Sequence, residues 1–246
     1  MSHDLSLIAP AWDAPPPVRA LTTTRHGGVS TGPFASLNLA THVGDEAARV
    51  AVNRARLRHA ARLPAEPLWL EQTHGVTVAE CGQATAGCAA DACVAHQPGH
   101  VCAVLTADCL PLLLCARDGS AVAVAHAGWR GLAAGVIEQT VSKMAVAPAR
   151  LLAWLGPAIG PTAFMVGDDV RAQFCQQDAR AAAAFQPAPH ERWWADLYLL
   201  ARQRLAALGV AEVGGGDRCT CSEAEWFFSY RRDGCTGRMA TLIWLA

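Results

Sequence analysis

The strongest constraint on the fold is a set of short apolar runs in the middle of the chain. Val101–Thr106, Pro111–Cys115 and Ala121–Ala125 follow one another with turn formers between them. Strands buried on both faces have this pattern, because neither side of the sheet meets water. Leu151–Leu155, closed by Gly156-Pro157, adds another such run. Val18–Thr24 reads as an earlier strand, and Trp226–Tyr230 and Thr241–Leu245 as closing ones.

Helical patterns interrupt these strands without a regular alternation. Asp45 is placed to cap a helix running to about Leu63, with Ala47, Val50, Leu57 and Ala61 on one face. Gly131–Met144 reads as a second helix. Asp196 can cap a third, with Leu197, Ala201, Leu205 and Leu208 on one face and Gly209 at its end. The irregular mixture predicts an α+β (mixed α/β) fold: one domain of layered mixed sheets with outer helices. Pro15-Pro16-Pro17 is a stiff segment, so residues 1–17 are an N-terminal extension and residues 18–246 a single catalytic domain.

Composition narrows the function classes. The 246 residues are 52% hydrophobic and 17% charged, enough apolar surface for a substantial core. A net charge of -1 lacks the basic face that a phosphate backbone demands, so no nucleic-acid partner is expected. No apolar run reaches the roughly 18 residues of a membrane span, so no membrane role is expected either. The opening Met1-Ser2-His3-Asp4-Leu5 carries no basic and apolar leader. Ten cysteines without repeated C-x-x-C pairs then read as reduced thiols of a cytoplasmic protein, most of them packed as small hydrophobes. Cys219 and Cys221 are a loop pair able to oxidise. Nothing in the composition demands a partner subunit, and a monomer is the expectation.

Three segments carry chemistry. Leu70-Glu71-Gln72-Thr73-His74-Gly75 follows an apolar run. Thr106-Ala107-Asp108-Cys109-Leu110-Pro111 joins two strands. Val124-Ala125-His126-Ala127-Gly128-Trp129-Arg130-Gly131 passes from a strand into a helix. Each places one borderline or soft ligand at a strand terminus. Two imidazoles and a thiolate suit zinc, and three protein ligands leave a fourth position for water. His and Cys side chains at such spacings also occur simply packed or hydrogen-bonded, so spacing alone leaves both readings open.

The same segments resemble the laccase-like family of zinc-dependent purine nucleoside phosphorylases, also called multicopper polyphenol oxidoreductase or peptidoglycan editing factor. The resemblance extends through Thr24-Arg25-His26-Gly27-Gly28-Val29-Ser30, Ser36-Leu37-Asn38-Leu39, His42-Val43-Gly44-Asp45 and Gly156-Pro157-Ala158-Ile159-Gly160-Pro161. It continues in Phe227-Phe228-Ser229-Tyr230-Arg231-Arg232-Asp233-Gly234 and Thr236-Gly237-Arg238, covering residues 18–245. One departure is Phe164-Met165-Val166-Gly167, where the family often has a glutamate after the aromatic residue.

The resemblance implies a laccase-like, cysteine-hydrolase-like fold and a zinc cofactor on His74, Cys109 and His126. It also implies phosphorolysis of adenosine, inosine, guanosine and methylthioadenosine, with some adenosine deamination. Deamination needs a water activated to attack C6 of adenine and a carboxylate to move protons. Asp108 and Glu71 are the nearest carboxylates in sequence to a ligand, and orienting the ligands is their alternative role. Phosphorolysis needs an anion site, for which Arg25, Arg130, Arg231, Arg232 and Arg238 are candidates, about two of them touching phosphate. Asn38 can read a ribose hydroxyl or hold its own turn. Phe228 and Tyr230 fall on one face of the expected strand and can wall or stack on a base.

Two other reaction classes use the same residues. Cys109 can be a thiolate nucleophile with His126 as base and Asp108 or another acid as orienter, a hydrolase or amidase acting on a peptidoglycan precursor. Copper-dependent phenol oxidation is disfavoured, because the nine histidines never form the paired H-x-H clusters of a multicopper oxidase. Copper at the His/Cys site would be adventitious.

Overall fold

The computed structural model describes residues 5–246, so the expectation attached to Met1–Asp4 lies outside the described residues. In chain order the elements are β1 (Leu7–Ile8), β2 (Val18–Thr23), α1 (Ala47–Ala60), β3 (Val78–Glu80), β4 (Ala92–Ala95), β5 (Val101–Thr106), β6 (Leu110–Ala116) and β7 (Val122–Ala127). These are followed by α2 (Trp129–Ala134), α3 (Val136–Lys143), β8 (Leu151–Leu155), β9 (Met165–Val166), α4 (Asp168–Gln177), β10 (Phe185–Ala188) and β11 (Arg192–Ala195). The chain closes with α5 (Leu197–Leu208), β12 (Glu212–Gly215), α6 (Tyr230–Asp233) and β13 (Met239–Leu245).

The apolar runs form strands because two sheets stack and helices cover their outer faces. A six-stranded mixed sheet has the order β12-β8-β6-β7-β4-β3, and a four-stranded sheet the order β1-β2-β13-β5. Leu113 and Cys115 of β6 point into the layer between the sheets, where they meet Cys102 and Val104 of β5 and Ile243 of β13. Leu110, Leu112 and Leu114 point the other way, against Ile137 and Val141 of α3 and Leu200 and Leu205 of α5. The outer face of the smaller sheet, including Leu21, Ala103 and Leu242, is covered by Leu57 of α1 with Leu37 and Leu39. Each buried leucine contributes about 1.5–3 kcal/mol relative to exposure. The result is a mixed α+β single domain with helix, sheet, sheet and helix in layers. A third, three-stranded sheet of order β10-β11-β9 lies beside them. Leu7 and Ile8, within the segment read as an extension, pair antiparallel with Thr23 and Thr22 of β2.

Local expectations met mixed outcomes. The runs at 101–106 and 151–155 are strands with those bounds. Asp196 caps α5 by accepting from Leu199 N–H, and Gly209 ends it at φ 91°. Asp45 is not the cap of α1, whose N-cap is Glu46. Its carboxylate instead accepts from Ser30 Oγ and Asn38 Nδ2. The helix expected over 131–144 is two helices broken at Gly135, whose φ of 101° is accessible to glycine at little cost. Trp226–Tyr230 is no strand. Phe227 N–H is donated to Glu223 and Phe228 N–H to Met239 Sδ, and Ser229 caps α6. With those donors used in turns, no ladder forms. Phe228 is therefore fully buried and Tyr230 62% exposed, instead of sharing a face.

Candidate metal centre

The chain changes sheets between β5 and β6, and the three ligand-bearing segments meet at that crossing. Cys109 sits one residue before β6, His126 near the end of β7, and His74 in the loop before β3. One ligand atom from each lies within 4.8 Å of the other two. The imidazole centroids of His74 and His126 are 4.8 Å apart, edge to face. His126 is buried, Cys109 half-buried and His74 exposed, so the group opens to solvent on one side.

Asp91 assembles the group. It is fully buried at the start of β4. Its Oδ2 accepts from the N–H groups of Thr73 and Gly75 and from the Thr73 hydroxyl, at 3.1, 2.7 and 3.0 Å. Its Oδ1 accepts from His74 N–H and from His126 Nδ1, both at 2.9 Å. A single carboxylate thus orients the His126 imidazole and holds the backbone that carries His74. Burial alone would raise its pKa, but the hydrogen bonds from His126 and Gly75 hold it well below the usual carboxylate range. An ionised carboxylate only accepts, so His126 donates from Nδ1 and turns Nε2 toward the site.

Backbone strain and close packing mark the same place. His74 and Asp108 have φ of 61° and 91°, a region that side-chain-bearing residues seldom occupy. A Cβ at Gly128 would lie 2.8 Å from Cys109 Sγ and 3.6 Å from His126 Nε2. Only glycine leaves that space to the ligand atoms. Burial raises the Cys109 thiol, but His126 and then His74 outweigh it and hold it down to about 6. Burial lowers His126, but the Cys109 thiolate and Asp91 outweigh it and push it up to about 9. Without a metal, Cys109 and His126 are therefore a thiolate beside an imidazolium, and a metal that takes the place of the His126 Nε2 proton would meet one thiolate and two imidazole nitrogens. Two nitrogens and one sulfur, held by a buried carboxylate and open on one side, fit a metal ion that keeps an open position.

The group faces a cleft of about 470 Å³, lined by His42, Gln72, His74, Leu105, Thr106, Ala107, Cys109, His126, Tyr230 and Arg238. Gln72 holds the wall, since its side chain exchanges two hydrogen bonds with the backbone of Leu105. Arg238 is the arginine of this lining. Its guanidinium donates to the carbonyls of Thr236 and Gly237 and lies 5.8 Å from the Tyr230 ring centroid.

The other candidates lie elsewhere. Asp108 is buried, and its carboxylate accepts from Thr220 Oγ1 and from the backbone N–H of Arg231, each at 2.6 Å. It ties the C-terminal loop to the crossing. Glu71 is exposed and outside the cleft lining. Arg25 donates to the carbonyls of Ala35 and Ala224 and stacks over Phe228. Arg130 lies over Trp129. Arg231 reaches the Met165 carbonyl and the Phe164 ring. Arg232 pairs with Asp233 and donates to the carbonyls of Thr220, Cys221 and Phe227. Asn38 is fully buried and holds its turn, donating to the Ala40 carbonyl and accepting from Arg238 N–H.

The residue that sequence reasoning missed is Asp91. Its signal was present as a lone carboxylate in the apolar stretch Ala89-Ala90-Asp91-Ala92-Cys93-Val94. A carboxylate buried in such a run needs donors to offset its desolvation.

Comparison with known proteins gives a consistent picture. Residues 19–246 match the family model described as multi-copper polyphenol oxidoreductase laccase. The chain is 56% identical to the purine nucleoside phosphorylase YfiH of Escherichia coli K12, covering 97% of this chain and 98% of that one. It is 53% identical to purine nucleoside phosphorylase PA4543 of Pseudomonas aeruginosa, again over 97% and 98%. The crystal structure of Neisseria meningitidis protein NMB0706 superimposes with a TM-score of 0.93 at 49% identity, over 97% of this chain and 98% of that one. YlmD of Geobacillus stearothermophilus does so with a TM-score of 0.87 at 32% identity, over 94% and 92%.

Proposed function

The chain belongs to the multi-copper polyphenol oxidoreductase laccase family, and from that membership we propose a zinc-dependent purine nucleoside phosphorylase with a secondary adenosine deaminase activity. The observation that carries this reading is the convergence of His74, Cys109 and His126 on one cleft with the guanidinium of Arg238. Such a cleft brings a metal ligand set and an anion site to the same substrate, and its volume lies within the range that encloses small molecules.

When bound, zinc supplies Lewis-acid polarisation at the open side of the three ligands. The chain's own residues do the rest. Asp91 fixes His126 with its proton on Nδ1 and holds the strained loop that presents His74. Arg238, steadied by two backbone carbonyls, anchors phosphate on the side of the cleft shared with His42 and Tyr230. Monohydrogen phosphate so held attacks C1′ of the ribose as the glycosidic bond to the purine breaks, its proton passes to the departing purine, and ribose 1-phosphate and free base leave. The exposed Tyr230 ring offers a face for the base or sugar. Asp108, Glu71, Arg25, Asn38, Arg130, Arg231 and Arg232 act, in this proposal, outside the reacting atoms, by holding loops or at the surface. The ten cysteines are reduced, as suits a reducing compartment, and we assign the protein to the cytoplasm as a monomer. Among the described residues, no helix is long and apolar enough to cross a membrane.

A second reading has its own support. Cys109 held down to about 6 beside His126 pushed up to about 9 is the charge state of a cysteine nucleophile, with Asp91 rather than Asp108 as the orienting acid. This arrangement would suit an amidase acting on a peptidoglycan precursor. Product analysis separates the two. Zinc-replete protein is incubated with adenosine, with and without phosphate, and with a chelator. Adenine and ribose 1-phosphate formed only with phosphate, and lost on chelation, are the expected result. No turnover of nucleosides by folded, zinc-loaded protein, with chelator-resistant cleavage of a peptide substrate, would overturn the phosphorylase reading.

A further inference from the structure

A second cluster of metal-ligating side chains lies away from the cleft, between the two stacked sheets. Cys93 is in β4 of the larger sheet and Cys102 in β5 of the smaller one. Cys81 follows β3 directly, and its N–H is donated to Val94 of β4. The β3–β4 register, with Ala79 opposite Cys93, carries Cys81 past the end of the pairing and toward the facing sheet. Cys93 and Cys102 are fully buried and Cys81 is half-buried. The three sulfurs lie within 4.8 Å of one another, the Cys93 and Cys102 pair at 3.1 Å, and all three thiols are reduced.

Three sulfurs bound to one three-coordinate ion through bonds of about 2.3 Å stand about 4.0 Å apart, inside the observed spread. Packing as small hydrophobes accounts for a cysteine such as Cys115, buried in the same layer outside the trio. It does not account for three thiols converging from three different strand ends and two sheets. We propose that Cys81, Cys93 and Cys102 form a second metal site, made of sulfur alone, that binds the soft ion Cu(I). Thiolates select Cu(I) and zinc over harder ions. Structural zinc closes its shell with a fourth protein ligand, and among the described residues none joins these three. His100 packs against Gly82, and Cys88 against the same layer, without entering the group. Cu(I) is satisfied by three sulfurs. Binding displaces thiol protons to solvent and changes no oxidation state, and the ion ties the two sheets together through Cys93 and Cys102.

The test uses the full chain with zinc already loaded, so that His74, Cys109 and His126 are filled. It is titrated with Cu(I) under anaerobic conditions against a competing Cu(I) chelator, following sulfur-to-copper charge-transfer absorption in the near ultraviolet. Wild-type protein should take up one Cu(I) per chain with that absorption. Cys93→Ser and Cys81→Ser should each weaken uptake by more than about 100-fold, beyond what loss of an outer partner produces, and lose the absorption. Cys235→Ser, at an exposed position, should behave as wild type. Cys81 is half-buried, so its variant keeps the test valid if Cys93→Ser does not fold. Wild-type protein holding no Cu(I) against the chelator would overturn the proposal. So would Cys81→Ser protein holding it as tightly as wild type.

Discussion

Two cysteine-bearing clusters in this protein differ in what surrounds them. Around Cys109 the ligands come from loops at a sheet crossing, two neighbouring residues have positive φ, and one side is open to a cleft. Around Cys93 two ligands come from regular strands and the third directly follows one, and Cys93 and Cys102 are fully buried between two sheets. The first arrangement leaves room for a substrate and is held by a buried carboxylate. The second can hold an ion but offers no approach to a reactant. In the reading proposed above, chemistry belongs to the crossing, and the strands between the sheets supply rigidity.

The largest effect should come from removing the shared ligand at the crossing. Cys109→Ala should abolish zinc binding and lower phosphorolysis by about 10³-fold, since metal stabilisation of a transition state amounts to several kcal/mol. Metal analysis and single-substrate kinetics measure both. Cys93→Ala should leave phosphorolysis unchanged while lowering thermal stability, because it removes a buried sulfur from the layer between the sheets. Equal loss of activity in the two variants would erase the distinction between the clusters.

A smaller effect tests how the crossing is held. In Asp91→Asn one carboxylate oxygen becomes an NH2 group. Whichever way the amide is turned, that group faces at least two of the donors now served by Oδ1 and Oδ2. The loop carrying His74 should loosen and His126 should lose its orientation. Zinc affinity should fall by about 10–100-fold, the range for loss of an outer partner, and stability by about 1–3 kcal/mol. Competition with a chromophoric zinc chelator reads the first and denaturant unfolding the second. Zinc affinity equal to that of wild type would show that His74 and His126 hold their places without Asp91.

Legibility of these features in the sequence followed how local their causes are. The strands at 101–106 and 151–155 were readable because burial on both faces leaves continuous apolar runs. The cap of α5 was readable because Asp196 and Gly209 act within one turn of the helix. The break at Gly135 was misread because glycine is tolerated inside a helical pattern, and φ decides its role. Trp226–Tyr230 has the residue types of a strand, yet its backbone donors go to a local turn at Glu223 and to the sulfur of Met239, eleven residues on. At the site, His74, Cys109 and His126 were reachable from ligand chemistry together with the resemblance. Asp108 was offered as a catalytic acid because it precedes Cys109, but its positive φ accompanies a carboxylate that serves Thr220 and Arg231. The arginines were indistinguishable by type, and only the fold shows which ones already spend their donors on backbone carbonyls outside the cleft.

The smallest expected effect sharpens that last difference. Arg238 and Arg130 carry the same charge, but Arg238 lines the cleft and Arg130 lies exposed over Trp129. Arg238→Lys keeps the charge and loses the planar fork that can hold two phosphate oxygens while its carbonyl contacts steady it. One charged hydrogen bond lost from phosphate is about 1.5 kcal/mol, so KM for phosphate should rise about tenfold. KM for the nucleoside should stay near its wild-type value, because the substitution leaves zinc and Tyr230 in place. Arg130→Ala should change neither constant. If both KM values rise together in Arg238→Lys, the side chain shapes the cleft as a whole. If only Arg130→Ala raises KM for phosphate, the anion sits at the start of α2 and the polarity of the cleft is reversed.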